Sequence, residues 1–102
     1  MNDPLRDWLE DWGQWLDALL ATGLACPTRE ARQRIARWSE EAELLGFLDQ
    51  RLAALRLLEE GVAMAERARI FFALLQEQDM LVRLHEARQL RDRAEALVGP
   101  SA

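Results

Sequence analysis

The chain contains no lysine, one cysteine, one histidine and three prolines in 102 residues. Its serines are Ser39 and Ser101, and its β-branched residues are Thr22, Thr28, Ile35, Val62, Ile70, Val82 and Val98. Each scarcity excludes something. Cys26 alone cannot form an internal disulfide, so nothing points to an oxidising compartment. Sheets draw on β-branched and aromatic residues, and with so few of the former a β fold is excluded. The longest apolar run is Ile70-Phe71-Phe72-Ala73-Leu74-Leu75, far short of the ~18 residues that cross a bilayer. No basic-then-apolar leader opens the sequence. A cytoplasmic protein with no membrane insertion is the expectation.

Nucleophilic catalysis lacks its parts, because no glycine-rich elbow or phosphate loop accompanies either serine. His85 has no cysteine or second histidine at ligand spacing, and the Glu-x-x-His pairs of bundle di-iron sites are missing. Cys26-Pro27 could in principle supply an axial thiolate to haem, but a loop cysteine before a helix-starting proline accounts for the pair without a ligand. No enzyme activity and no cofactor are expected.

What is present is helix-forming: 59 residues are Ala, Leu, Arg or Glu. These lose least on entering a helix, and a composition this biased marks long or coiled helices. The expected fold is therefore all-α, a four- or five-helix bundle with a long C-terminal helix. The formal charge is −5, which disfavours direct contact with nucleic acid. Residues 1–26 set one Arg against five Asp and Glu, a local net charge of −4. All thirteen basic residues are Arg, a bias that reflects codon habit more simply than a binding device.

Punctuation predicts helices at about 4–21, 28–45, 47–60 and 62–98. Asp3-Pro4 provides an N-cap and a proline at the first helical position, and Thr22-Gly23 stops that helix. Thr28 caps the second. Gly46-Phe47 has the pattern of a Schellman stop, and Gly61-Val62 repeats it. The chain reads as one helical domain over 1–98, with 99–102 a flexible tail after Gly99-Pro100.

Two shifts of the apolar stripe follow from placing residues on a wheel. Ala31, Ile35, Trp38, Ala42 and Leu45 form one stripe; Leu48, Leu52, Leu55 and Leu58 form another, rotated by roughly 120°. In the last segment, Met64, Ala68, Ile70, Phe71, Leu74 and Leu75 face roughly 180° away from Met80, Leu81, Leu84, Ala87, Leu90, Ala94 and Leu97. The change falls at Gln76-Glu77-Gln78-Asp79. Either the chain turns back there, or one helix of ~54 Å passes through and its second half packs on another copy of the chain. The lack of Gly and Pro favours the continuous helix.

Two candidate surfaces result. Trp8, Trp12, Trp15 and Leu19 share a face with Leu5 and Leu16, opposite Asp3, Asp7, Glu10, Asp11, Gln14 and Asp17. That face serves either as bundle core or as an anchor docking on a partner, since Trp is over-represented among interface anchors. Met80, Leu84, Leu90 and Leu97 form a self-association surface for a homodimer. Arg29, Arg32, Arg34 and Arg37 form a basic cluster read as a solvated, self-paired face, with Arg37 and Glu41 at i,i+4. The function expected is a non-catalytic helical protein–protein interaction module, an adaptor or scaffold subunit. The alternative is a small acidic inhibitor or regulator that binds a basic surface of a partner protein, such as one that itself binds nucleic acid.

Overall fold

Asp3 opens the first helix by accepting the Arg6 amide on its carboxylate, 3.1 Å away, with Pro4 next in line. In the computed structural model, which describes residues 3–99, four α-helices and no strand are present: α1 Pro4–Thr22, α2 Arg29–Leu45, α3 Leu48–Leu58 and α4 Met64–Val98. Residues 100–102 of the expected tail lie outside the described residues. Thr28 caps α2 by accepting from the Ala31 amide at 3.1 Å. The stop at Gly46 is the Schellman motif expected there. Gly46 takes the left-handed conformation (φ 88°, ψ 11°), its amide donates to Glu43 O, and Phe47 N–H reaches Ala42 O at 2.8 Å.

Contacts join α1 to α2, α2 to α3, α3 to α4 and α4 back to α1. Neighbours run antiparallel. Along α4, Arg67 reaches Leu24 O, Gln78 reaches Leu9 O and His85 reaches Asp3, so α1 descends as α4 climbs. Arg56 meets Glu66 and Gln50 meets Glu77, which sets α3 antiparallel to α4 as well. The result is an up-down-up-down four-helix bundle.

Four tryptophans and a phenylalanine stand among the aliphatic residues of its core. Trp8, Trp12, Trp15, Leu16 and Leu19 of α1 meet Ile35, Trp38 and Ala42 of α2, Ala54 and Leu57 of α3, and Phe71 and Leu74 of α4. Trp8 and Trp38 stack with centroids 4.8 Å apart and planes 7° off parallel, and each indole N–H donates to the other residue's carbonyl at 3.2 Å. This reciprocal pair locks α1 to α2 and leaves neither buried N–H wanting. Phe47 stacks on Trp8 at 4.7 Å, so the α2–α3 turn is pinned to the same cluster.

Two sequence expectations about α3 are corrected. The stripe Leu48, Leu52, Leu55 and Leu58 does not face inward as a unit: Leu48 and Leu52 are exposed, and Ala54 and Leu57 are buried instead. Leucines stand on several sides of this short helix, so the wheel chose among them without knowing which side meets α4. The helix also ends at Leu58, before the glycine stop at Gly61. Arginines from other helices take its last carbonyls: Arg67 binds Leu57 O and Glu59 O, and Arg32 binds Leu58 O.

α4 runs unbroken for 35 residues, about 52 Å at 1.5 Å per residue. Its polar turn at residues 76–79 needs no break because its side chains have partners. Gln50 of α3 donates to Glu77, and Gln78 donates to Leu9 O of α1. A Cβ on Gly13 would stand 3.0 Å from the Gln78 amide nitrogen, so the glycine in mid-α1 gives this side chain room. The molecule measures 61 × 23 × 22 Å with a radius of gyration of 16.4 Å, against about 13 Å for a compact domain of this length. The excess length is the end of α4.

Candidate interaction surface

α3 accompanies α4 only as far as Glu77, and α1 only as far as Gln89. Every residue from Leu90 to Val98 is exposed, an arm roughly 13 Å long, with Leu90 and Arg93 at its root lining a cleft beside Arg6 and Glu10 of α1. The four residues read from the sequence as a self-association surface are all exposed, Met80 and Leu84 before the arm and Leu90 and Leu97 on it. Met80 is half exposed, Leu84 is 59 % exposed, Leu90 63 % and Leu97 88 %. The opposite face of the same helix carries buried Phe71 and Leu74 and partly buried Leu81 and Val82. The stripe reversal in the sequence thus corresponds to one continuous helix whose two halves present apolar side chains in different directions. Ala87 and Ala94 lie exposed among the larger residues.

The Trp face has a different fate. Trp8, Trp12, Trp15 and Leu19 are all buried, none exposing more than 1 % of its surface. The structure places this face in the core, covered by α2, and a partner could touch it only after the bundle opened. Of the two surfaces read from sequence, only the α4 face is available on the folded chain.

The arginine cluster is not a self-paired solvated face either. Arg34 bridges to Asp11 at 2.8 Å and to Gln14 on α1, and Arg32 binds the end of α3. Among the described residues no ion pair joins Arg37 to Glu41. Arg32 and Arg34 thus tie α2 to α3 and α1, while Arg29 and Arg37 are exposed. Cys26 sits exposed in the α1–α2 loop. Among the described residues, no group of three His, Cys, Asp or Glu could hold a metal ion.

Two features escaped the sequence reading. Arg67 is 7 % exposed and donates to four carbonyls: Leu24, Leu57, Glu59 and Val62. Its position, four residues before Phe71 and seven before Leu74, placed it on the core stripe, and an arginine there was the available signal. The second is a clasp at the root of the arm. Asp3 Oδ2 lies 2.9 Å from His85 Nε2 and accepts from Gln89 Nε2 at 3.1 Å. No periodicity links residues 82 and 86 positions apart, so this contact was invisible in the sequence.

The clasp has a pH signature. The Arg6 amide and then the His85 side chain, both donating to Asp3, hold its carboxyl below the ordinary value of 3.8. A depressed carboxyl stabilises the fold fully above its unfolded value, and that contribution disappears as pH falls through the folded value. Asp3→Ala is therefore expected to lower the thermal midpoint at pH 7, and to match the parent once both are acidified below the folded carboxyl's range. Thermal unfolding followed by circular dichroism at both pH values checks this. A deficit that persists unchanged in acid would show that the carboxylate charge is not what holds the clasp.

No helix among the described residues is long and apolar enough to cross a membrane. Compared with protein-family models, with curated proteins and with solved structures, the chain finds no match.

Proposed function

We propose that this protein is a non-catalytic helical interaction module, a scaffold or adaptor subunit that acts by burying the outer face of α4, and that the first partner on that face is a second copy of itself. The observation that carries the reading is the surplus of surface. The chain exposes 7338 Å², whereas a compact monomer of its 11.7 kDa exposes roughly 5,900 Å². The difference of about 1,400 Å² exceeds the ~800 Å² that each partner contributes to a standard interface. Met80, Leu84, Leu90 and Leu97 are exposed on α4, and each large apolar side chain returned from water stabilises an assembly by roughly 1.5–3 kcal/mol. Two-fold pairing is the commonest way for identical chains to achieve this.

The second reading, an acidic inhibitor working through α1, has less behind it. Asp11 is paired with Arg34, Glu10 with Arg6, and Asp3 with His85. Much of the acid on that helix is already committed within the chain. The two readings separate by salt: apolar self-assembly persists at high ionic strength, and capture of a basic partner weakens steeply.

Sedimentation equilibrium over a range of concentrations tests the reading. The parent is expected to sediment as a dimer, and Leu84→Glu with Leu90→Glu as a monomer of unchanged helicity. A parent that stays monomeric throughout, or a double variant that still pairs, overturns it. A double variant that unfolds while the parent is monomeric would mean that the segment folds back on its own bundle.

A further inference from the structure

We infer that the two copies pair their α4 arms antiparallel, about an axis passing between residues 88 and 89; this rests on the self-association proposed above and specifies its geometry. Met80, Arg83, Ala87, Leu90, Ala94 and Leu97 recur at alternating spacings of three and four, the seam of a coiled coil. All six are exposed.

In this alignment Met80 lies across from the partner's Leu97, Arg83 from the partner's Ala94 and Ala87 from the partner's Leu90. Each alanine then meets a long side chain, which fills the layer. Arg83 can run past a methyl group to solvent, keeping Asp79, its ion-pair partner 3.2 Å away. Parallel pairing sets like on like. Two Arg83 guanidiniums would meet in the seam, and the Ala87 and Ala94 layers would be too thin to fill.

Charge at the flank agrees. Glu86 and Arg93 are both exposed, and among the described residues neither has an ion pair in its own chain. The antiparallel register brings Glu86 opposite the partner's Arg93, and symmetry repeats the pair. Flanking charges of this kind set orientation and partner choice in coiled coils. The paired stretch is about 27 Å long, and the two bundles stand at opposite ends of the resulting rod.

Spin labels on full-length protein test this. In a Cys26→Ser background, one sample carries Glu95→Cys and another Arg69→Cys, each labelled and measured by pulsed dipolar spectroscopy beside sedimentation. The antiparallel dimer puts the labels at 95 about 20–25 Å apart and those at 69 nearly 60 Å apart, on the order set by 1.5 Å per residue. A dimer with short distances at both sites is parallel and overturns the inference while leaving self-association intact. A dimer with long distances at both sites pairs elsewhere, and overturns both. A monomer overturns the self-association beneath it. The charge pair gives a second readout. Glu86→Arg should raise the dimer dissociation constant on the order of tenfold, and adding Arg93→Glu should restore it. A double variant as weak as the single one rejects this register.

Discussion

Truncating Trp12 to alanine is expected to cost about 3–5 kcal/mol of stability, the usual range for removing a buried aromatic. The ring is fully buried between Trp8 and Trp38, with centroids 5.3 Å and 5.1 Å away. Alanine would leave a void that the stacked pair cannot collapse into without breaking its reciprocal hydrogen bonds. A domain of this size holds only ~5–15 kcal/mol in total, so the thermal midpoint should fall by tens of degrees, at roughly 4–8 °C per kcal/mol. Phenylalanine supplies the control. Trp12 Nε1 is buried without a hydrogen-bond partner, a cost that Trp12→Phe removes. Trp8→Phe instead deletes a buried hydrogen bond, the one from Trp8 Nε1 to Trp38 O. Trp12→Phe should therefore cost clearly less than Trp8→Phe in urea unfolding. Near-parental stability of Trp12→Ala would contradict the placement of this face in the core.

Arg67→Met should have an effect of similar size for a different reason. The guanidinium donates to Leu24 O from the α1–α2 loop, to Leu57 O and Glu59 O at the end of α3, and to Val62 O just before α4. It thereby ties three chain segments at one end of the bundle and places positive charge at the negative end of the α3 dipole. Methionine keeps the stem and removes every donor. A buried acceptor left alone costs ~1–3 kcal/mol, and the Leu57 bond is fully buried with the others partly so. The expected loss is about 3 kcal/mol or more, read from the urea midpoint. Arg67→Lys keeps the charge but presents one point donor in place of a planar fork, and should recover only part. Hydrogen exchange should show the loss concentrated at residues 23–28 and 57–63. A methionine variant within about 1 kcal/mol of the parent would show that these carbonyls find water without penalty.

The all-α class, the positions of α1 and α2 and the Gly46 stop were legible in the sequence, because each rests on local physics. Helix propensity is a property of residue type. Asp3, Thr28 and Gly46 act on backbone groups within a few positions of themselves. The continuity of α4 was also readable from the absence of Gly and Pro, although the flipped stripe argued the other way. That conflict was informative: most of the stripe that turned away from the core, Met80, Leu84, Leu90 and Leu97, is exposed.

Everything that depended on which faces meet waited for the tertiary structure. The tryptophan face could be core or docking surface from its periodicity alone, since burial by a neighbouring helix and burial by a partner favour the same residues. Only the position of α2, locked by the Trp8–Trp38 exchange of hydrogen bonds, decided it. The early end of α3 was set by arginines 10 and 26 residues away in the chain, which no local signal encodes. The Asp3–His85 clasp joins opposite ends of the sequence for the same reason. Short-range preferences determine where helices form, whereas the surface left over is a property of how far each helix outruns its neighbours.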